Sequence, residues 1–392
     1  MFMNKKVYGN YKVLIFGAGG RQTLPVCKGF YDIGCHVTTY CENKLSLGFW
    51  TRYAKEKIVF NKKFGKTYLD YGADIIRKGN FDIVVPTGDK TAIYLARKKI
   101  ELQKYSKIAV NDEETFQYAI NKYLTMKICM SKGISAPYTL GDDDDIIEEV
   151  KKGNLSFPVV VKPKTGLGSI GFRIIQSEIE LNEFLNEYDG ANGPLLIQEY
   201  ISQGDYPQYR ADLFRTHDGY YKAAIVGEVT RWYPLDGGSG IHIITVHNDT
   251  IIENCMKLLD AINWNGYANL DIVWDEKSNS PKILEINGRV GASIKQDYVA
   301  GINISELILQ NEIGLPITDY LEYKDGSQVS CFLPDVLWLI KSNKRFSCRP
   351  SWFRRRGIKD TIFSFDDPLP SIGFLISSVI NYKESMRLRK RH

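Results

Sequence analysis

The chain has little that would mark it as secreted, membrane-spanning or stabilised by cysteine chemistry. Its seven cysteines are scattered over 392 residues without a C-x-x-C pair, which favours reduced thiols over a disulfide framework or a zinc site. No stretch approaches the roughly 18 uninterrupted apolar residues that a bilayer-crossing helix needs. The apolar run at 13–16 is also too short for the hydrophobic region of a signal peptide. We therefore expect a cytoplasmic protein.

A complete dinucleotide-binding fingerprint is also missing. The stretch GAGGRQ (17–22) follows an apolar strand, but Gln22 stands where the third glycine of that fingerprint would be. This disfavours NAD as a ligand. The glycines of this stretch can serve only to turn the chain.

Excess positive charge is absent from most of the chain. The sequence has 51 lysines and arginines against 46 aspartates and glutamates, yet the last 52 residues contain thirteen of these cations and only four of these acids. Arginines beside aromatic and aliphatic residues suit the inner face of a membrane or a protein partner, and a solvated tail is the alternative. No nucleic-acid-binding module is recognisable, so we expect no nucleic acid partner.

What the sequence does contain is two successive patterns of secondary structure. Residues 1–112 alternate apolar strands with helical segments of about a dozen residues, which predicts a parallel sheet in a Rossmann-like α/β domain. One helix is predicted over 112–133. Short apolar runs with polar punctuation follow and predict an α+β domain with an antiparallel sheet. The predicted boundaries are 1–112, then 113–320 divided into 113–195 and 196–320, and a basic C-terminal extension at 321–392.

The most informative acids lie inside apolar runs, at NLDIVWD and KILEINGR (269–289). Glu285 and Asn287 share one face of a strand because side chains alternate with a period of two, and Asp271 lies on the neighbouring strand. Two carboxylates and an amide oxygen form the hard ligand set that Mg²⁺ prefers. A solvated strand face is the alternative. Arg289 either meets negative charge near this site or forms a salt bridge with Asp271 or Glu285.

A glycine-rich loop follows another apolar strand in VVVKPKTGLGSIGF (159–172). Glycines let the backbone approach a ligand closely, and backbone N–H groups beside Lys162 and Lys164 suit phosphate. A surface hairpin would also need glycines to turn.

Taken together, these stretches resemble the ATP-grasp superfamily of carboxylate–amine ligases, which includes D-alanine–D-alanine ligase, biotin carboxylase and carbamoyl phosphate synthetase. The similarity spans residues 12 to about 318. It depends on five blocks in the family's order: VLIFGAGGR, NKYLTMKICMSKGISAP, FPVVVKPKTGLGSIGF, LLIQEYI, and NLDIVWD with KILEINGRVGAS. The resemblance implies a pre-ATP-grasp α/β domain followed by an ATP-grasp domain.

The resemblance also implies roles for matching positions. Lys122 and Lys162 match the lysines that hold the α- and β-phosphates of ATP, and Arg289 matches an arginine near the transferred phosphoryl group, so that Lys162 and Arg289 are the candidate catalytic residues. Asp271, Glu285 and Asn287 match ligands of Mg²⁺, for which Mn²⁺ is a substitute. The remaining ATP-binding candidates are Lys164, Gly166, Gly168, Ser169 and Gly171 in the loop and Gln198, Glu199, Tyr200, Ile201 and Asp205 around the adenine and ribose. The ribose contact departs from the family pattern, since only Asp205 or Gln208 follows at a suitable distance.

The stretch EVTRWYPLDGGSGIH (228–242) is predicted to edge the active cleft. Arg231, Gly238 and Ser239, together with Arg289, are candidates for binding the carboxylate of a substrate. A long hairpin with an aromatic brace is the alternative.

The resemblance implies that the protein uses ATP to activate a carboxylate as an acyl phosphate and joins it to an amine. Small-molecule acid and amine substrates are expected, with an amino acid or sugar acid of bacterial surface-polysaccharide or secondary metabolism favoured by analogy. A homodimer is the expected assembly. The alternative function is an ATP-binding sensor or membrane-associated scaffold without ligase activity.

Overall fold

The structure, a computed structural model, describes residues 8–62, 65–141, 144–166, 171–202, 207–235 and 239–389. It begins with a five-stranded sheet in which every neighbouring pair of strands is parallel, in the order β3-β2-β1-β4-β5. Its elements are β1 (Lys12–Phe16), α1 (Thr23–Asp32), β2 (His36–Cys41), α2 (Leu47–Trp50), β3 (Glu56–Val59), α3 (Tyr68–Lys78), β4 (Ile83–Pro86), α4 (Asp89–Leu102) and β5 (Lys107–Ile108).

The predicted parallel sheet is thereby confirmed. Residues 13–16 of β1 are completely buried, as expected for a central strand with helices on both faces. The carboxyl ends of β1 and β4 lie at the same edge, since the two strands pair in parallel with Phe16 opposite Pro86. The loops GAGGR and PTGDK therefore leave the sheet side by side.

A smaller, four-stranded antiparallel sheet follows, in the order β6-β9-β7-β8. The elements of this region are α5 (Glu113–Ile120), α6 (Lys122–Lys132), β6 (Thr139–Gly141), α7 (Ile146–Lys151), β7 (Val159–Pro163), β8 (Arg173–Ile175), α8 (Glu178–Glu187) and β9 (Leu195–Glu199).

The single helix predicted over 112–133 is wrong, because the chain forms two helices separated at Asn121. The backbone of Asn121 is extended, with φ −104° and ψ 99°, and its side chain accepts hydrogen bonds from the backbone N–H groups of Tyr123 and Leu124. Asparagine is a favoured N-cap for this reason. The break makes Lys122 the first residue of α6.

The third sheet has seven strands in the order β14-β13-β10-β11-β12-β15-β16, and all its pairs are antiparallel except β15 with β16. Its elements and those packed on it are β10 (Gln208–Arg215), β11 (Tyr221–Tyr233), β12 (Ser239–Val246), α9 (Asp249–Ala261), β13 (Gly266–Asp275), β14 (Ser280–Asn287), α10 (Lys295–Ala300), α11 (Ile304–Ile313), β15 (Gln328–Ser330), α12 (Phe332–Lys341), β16 (Lys359–Asp360) and α13 (Leu369–Arg389).

Residues predicted to form the C-terminal extension contribute to this large sheet. β15 pairs with β12, β16 pairs with β15, and α12 packs against β11 and β12. Over the described ranges, no helix combines the length and apolar character that crossing a membrane requires.

Helices α1 and α11 join the first sheet to the rest of the molecule. The side chain of Asn303 donates to the carbonyl of Gly29 at 3.2 Å, and the hydroxyl of Ser305 donates to the carbonyl of Val26 at 3.0 Å. A Cβ added at Gly29 would lie 2.6 Å from side-chain atoms of both partners, so the close approach of the helices requires glycine there.

Candidate active site

Three neighbouring strands of the large sheet bring charged side chains to the same level. The register of β10, β13 and β14 places Arg210 opposite Asp271 and Asp271 opposite Glu285. Two pairs further along, Asn269 lies opposite Asn287. The three residues predicted as metal ligands are therefore brought together, on adjacent strands.

The carboxylates of this site are neutralised by cations from two directions. Arg210 forms an ion pair with Asp271 within the sheet, and Lys122 Nζ lies 3.4 Å from Glu285 Oε2. Burial alone would raise the pKa of the Glu285 carboxyl, but Lys122, Lys162 and Arg210 outweigh it and hold that pKa below its ordinary value. The alternative salt bridges from Arg289 to Asp271 or Glu285 are not the ones that form.

Burial also acts on Lys162, which lies on β7 of the smaller sheet. Removal from water lowers the pKa of Lys162 to about 8, and the positive charge of Lys122 lowers it while Glu285 opposes the shift. Two lysines and a glutamate therefore influence one another across the space between the two antiparallel sheets. Such a group of cations suits an anionic ligand.

The break at Asn121 anchors Lys122 beside the glycine-rich loop. The backbone N–H of Lys122 donates to the carbonyl of Lys164 at 2.8 Å, and Lys122 Nζ donates to the carbonyl of Gly166 at 2.9 Å. Gly171, at the other end of the loop, has a φ of +75°, which favours glycine. The predicted loop residues Gly168 and Ser169 lie outside the described residues.

The segment predicted to bind adenine forms the end of β9. Gln198 is buried and donates to Thr139 Oγ1 at 2.8 Å. The side chain of Glu199 accepts from Lys282 Nζ at 2.8 Å, so an ion pair joins β9 of the small sheet to β14 of the large one. Tyr200 and Ile201 follow directly.

Of the two candidates for the ribose contact, the structure describes only Gln208. Gln208 is the first residue of β10, whereas Asp205 lies outside the described residues. The ribose contact stays a prediction.

Arg289 lies just beyond the end of β14 and is held by the first domain. Its Nε is 2.8 Å from Asp89 Oδ1, and Asp89 is the first residue of α4 in the PTGDK loop region. Arg21, from the GAGGR loop, donates to the carbonyl of Gly240 at 2.9 Å. Burial lowers the pKa of Arg210, and the charges of Arg289 and Arg21 act in the same direction, so three guanidinium groups influence one another around the carboxylates.

The prediction that Arg231 binds a substrate carboxylate is wrong. Arg231 is only 1% exposed, and its guanidinium is already paired with Asp335, with 2.8 Å between Nε and Oδ1. It also donates to the carbonyl of Pro350 at 3.2 Å. Its role is to attach the C-terminal residues to the large sheet. Ser239 is exposed at the start of β12, and Gly238 lies outside the described residues.

Sequence reasoning missed Arg210 and the buried polar residues beneath the site. Asn269 accepts a hydrogen bond from Asn287 and donates to Asp212 Oδ1 at 2.5 Å. Asp212 also accepts from the hydroxyl groups of Tyr267, at 2.7 Å, and Ser293, at 3.0 Å. These acceptors and donors are buried and satisfied, which fixes their positions. The signal in the sequence was a run of polar residues inside apolar strands, but their pairing depends on strand order.

The ligand set at 271–287 fits a hard divalent cation. Carboxylate and amide oxygens are its preferred protein ligands, and substrate phosphates and water usually complete the shell. No three His, Cys, Asp or Glu side chains gather in a metal-binding arrangement within the described ranges, so Asn287 and phosphate oxygens would have to complete such a site. The ligand roles of Asp271, Glu285 and Asn287 stay predictions.

The overall arrangement of the chain is similar to that of solved structures. An ADP complex of N5-carboxyaminoimidazole ribonucleotide synthetase superposes with a TM-score of 0.64 at 14% identity, over 88% of each chain. A dimeric biotin carboxylase domain from Hydrogenobacter thermophilus, solved with MgADP, ADP and bicarbonate, superposes with a TM-score of 0.63 at 16% identity, over 81% of this chain and 73% of that one. The shared property is the fold.

Sequence comparison agrees. Residues 119–293 match the family model of the ATP-grasp domain. The D-aspartate ligase of Enterococcus faecium is 22% identical over 252 residues, which cover 59% of this chain and 58% of that protein. The chain thus spans less than two thirds of the length of this relative. The protein carries an ATP-grasp domain, as the sequence motifs predicted.

Proposed function

We propose that the protein is a cytoplasmic, ATP-dependent carboxylate–amine ligase. One observation carries the proposal: Asp271, Glu285 and Asn287 lie together on neighbouring strands, and Lys122 reaches Glu285 at 3.4 Å from beside the glycine-rich loop. A site that combines hard oxygen ligands with lysines at a glycine-rich loop suits the triphosphate of ATP.

The first chemical step would transfer a phosphoryl group. An oxygen of the substrate carboxylate attacks the γ-phosphorus of ATP, the bond to the bridging oxygen breaks, and ADP leaves with that electron pair. Catalysis of such a transfer is mainly alignment and stabilisation of negative charge. Lys122 and Lys162 would hold phosphate oxygens, and Arg289 would meet charge at the transferred group. Mg²⁺, or Mn²⁺ in its place, would be held by the carboxylates and Asn287 and would neutralise phosphate charge when bound.

The second step would form the amide. The nitrogen of a neutral amine attacks the acyl carbon, phosphate leaves with the electron pair of its C–O bond, and the proton lost by nitrogen passes to phosphate or solvent. An acyl phosphate reacts readily with water, so a closing loop over the site has a purpose. The glycine-rich segment 166–171 is the candidate for this loop.

The acid is proposed to be an amino acid or a sugar acid. Arg21, from the GAGGR loop, and Arg289, just beyond β14, are the guanidinium groups available for this acid, and guanidinium binds carboxylate in a bidentate manner. The relative from Enterococcus faecium carries the name D-aspartate ligase, which favours an acidic amino acid among these candidates. A role in surface-polysaccharide metabolism is the corresponding pathway proposal. We also propose a homodimer, the state named for the biotin carboxylase domain, and light scattering would test it.

The decisive experiment measures ADP release with a coupled assay. Purified protein, ATP and Mg²⁺ are combined with single amino acids or uronic acids, each with and without an amine. A ligase should release ADP only with its acid, and mass spectrometry should detect the amide when both substrates are present. If the rate of ADP release did not depend on any added acid or amine, or if ATP bound without ADP being released, the alternative of a sensor or scaffold would be favoured.

A matched pair of variants makes the assay specific to the proposed site. Glu285→Ala should abolish acid-dependent ADP release because it removes a carboxylate from the cation site. Glu253→Ala removes an exposed carboxylate from α9, outside the site, and should leave the rate unchanged. Equal activity in both variants would overturn the assignment of Glu285.

A further inference from the structure

Exposed apolar side chains are concentrated near the C-terminal end of the described chain. Of the 23 large apolar side chains that are exposed among the described residues, twelve lie between 332 and 380. Phe365 is 91% exposed and Phe346 is 82% exposed. A soluble protein rarely gathers so many exposed apolar groups in one segment unless they meet a partner.

Most of these aromatic residues form one continuous series of contacts. The Arg355 guanidinium lies over the rings of Phe332, at 5.2 Å, and Trp352, at 4.9 Å. Trp352 contacts Phe353, with ring centroids 5.6 Å apart, and Phe353 stacks on Phe346 at 6.2 Å. We call these five residues the aromatic cluster.

Asp360 connects the aromatic cluster to a second pair of exposed rings. Its carboxylate accepts the backbone N–H groups of Phe332, at 2.7 Å, and Phe363, at 2.7 Å. The Phe363 ring packs edge-on against Phe365, with centroids 5.0 Å apart. The exposed apolar surface therefore continues from α12 to the start of α13.

Helix α13 extends this surface with an outward-facing apolar stripe. Leu369, Ile372, Ile376 and Ile380 are exposed and follow one another at spacings of three or four residues, which places them on one face of the helix. The helix is fixed along a face that borders this stripe. A Cβ added at Gly373 would lie 2.5 Å from the Trp50 side chain, so this face is packed closely against α2.

The charge around this surface is strongly positive. Arg349, Arg354, Arg356 and Lys359 are exposed, and none of them forms an ion pair within the residues that the structure describes. Asp366, which is exposed, and Asp360 offset part of this charge. Asp367 is buried and accepts hydrogen bonds from Thr51 and from the backbone of Arg52, so the cations remain in excess.

We infer that this C-terminal surface, made of the aromatic cluster, Phe363, Phe365, the α13 stripe and the exposed cations, docks on an anionic lipid bilayer. Aromatic and aliphatic side chains enter the headgroup region, and arginine and lysine bind lipid phosphates. The positive charge of this surface favours an anionic bilayer over a second copy of the chain. A second copy would bring the same excess of cations against the first, and the two would repel. Nucleic acid could bind the cations through its phosphates. The α13 stripe, however, is aliphatic and offers no aromatic ring on which a base could stack.

The test uses the full-length protein and two kinds of vesicle. Protein is sedimented with vesicles of phosphatidylcholine alone and with vesicles that also contain phosphatidylglycerol. The expected result is sedimentation with the anionic vesicles, weakened by added salt, and little with the neutral ones. No sedimentation with either, or equal sedimentation with both, would overturn the proposal.

Two sets of variants separate the apolar from the charged contribution. The triple variant Ile372→Glu, Ile376→Glu, Ile380→Glu should weaken vesicle binding at least about ten-fold, since it removes the apolar stripe and adds negative charge. The matched control Ile100→Glu, Ile179→Glu carries the same change at helix positions that are 78% and 72% exposed, and it should bind normally. Replacing Arg349, Arg354 and Arg356 with glutamine should weaken binding by about five-fold per arginine.

For each variant, the thermal stabilisation by ADP is measured, and light scattering determines the oligomeric state. ADP stabilisation shows that the variant is folded and does not depend on ligase turnover. Two results contradict a lipid surface: a dimer that dissociates in the isoleucine variant while lipid binding persists, or binding to single-stranded nucleic acid with none to vesicles.

Discussion

The side-chain amide of Asn287 donates a hydrogen bond of 3.2 Å to Oδ1 of Asn269, its partner on the neighbouring strand. This bond uses the nitrogen of Asn287 and so determines which way its side-chain oxygen faces. Asn269 is in turn held by Asp212, which also accepts hydrogen bonds from Tyr267 and Ser293. A candidate ligand therefore has a buried polar support of its own, and partners of this kind orient metal ligands in proteins.

We expect Asn269→Ala to weaken Mg²⁺ binding about ten-fold, because Asn287 loses the partner that orients it. The loss of a hydrogen bond to Asp212 should also lower the free energy of unfolding by about 1–3 kcal/mol. Mg²⁺ titration of ADP binding, followed by calorimetry, measures the first effect. ADP affinity without Mg²⁺ should stay unchanged. A parallel loss of ADP affinity in the absence of metal would point to general disruption of the site.

We expect Lys122→Met to weaken ATP binding by about 1.5–3 kcal/mol, or roughly ten- to a hundredfold in Kd. The reason is that Lys122 Nζ reaches both the carbonyl of Gly166 and the Glu285 carboxylate, so it lies beside the proposed phosphate position. Equilibrium binding of a fluorescent ATP analogue measures the change. Lys127→Met removes an exposed lysine from the same helix and should bind the analogue normally. Similar losses in both variants would contradict a specific role for Lys122.

We expect Arg231→Met to lower the free energy of unfolding by about 3 kcal/mol, because it removes one partner of a buried ion pair. Asp335 retains Arg355 Nη1 at 2.9 Å, which limits the loss. Urea denaturation measures the effect, with the exposed Arg354→Met as control.

The double variant Arg231→Met, Asp335→Leu gives a second measurement of the same pair. Asp335→Leu also removes the ion pair with Arg355 and the acceptor of Ser330, so the double variant should be less stable than Arg231→Met. Its loss should nevertheless be smaller than the sum of the two single losses, because Arg231 and Asp335 interact directly. If Arg231→Met instead left stability intact and raised the KM for the acid, Arg231 would bind substrate after all.

We expect His242 to make the protein less stable as the pH falls. Burial, and then the charge of Arg231, lower the pKa of His242 from 6.5 to about 3 in the folded protein. Between these values the unfolded chain binds the proton and the folded protein does not, so acidification favours unfolding by up to about 1.4 kcal/mol per pH unit from this group. Urea denaturation across this pH window should show a smaller slope for His242→Gln. The exposed His36→Gln should keep the slope of the unchanged protein.

The sequence was sufficient for features that depend on local pattern. Alternation with a period of two placed Glu285 and Asn287 on one face, and the polar turn between two apolar runs predicted the hairpin of β13 and β14. Alternating strands and helices predicted the parallel sheet in the same way. The five motifs then identified the ATP-grasp domain, which the family comparison confirms.

Features that depend on distant parts of the chain could not be predicted. Arg210 joins the site only because β10 pairs with β13, although two strands and a helix separate them in sequence. Arg231 looked available in a polar hairpin, but its partner Asp335 lies 104 residues further on. The helix is divided because the Asn121 side chain caps α6. The helical pattern of apolar residues continues on both sides of Asn121, so the pattern alone does not reveal the break.

The ion pair between Arg289 and Asp89 has a consequence for exchanging parts between related enzymes. The Arg289 guanidinium, just beyond β14, takes its orientation from the carboxylate of Asp89 at the start of α4, 200 residues earlier. Grafting another protein's leading region onto residues 113–389 would release Arg289 unless the graft also supplied an acid where α4 begins.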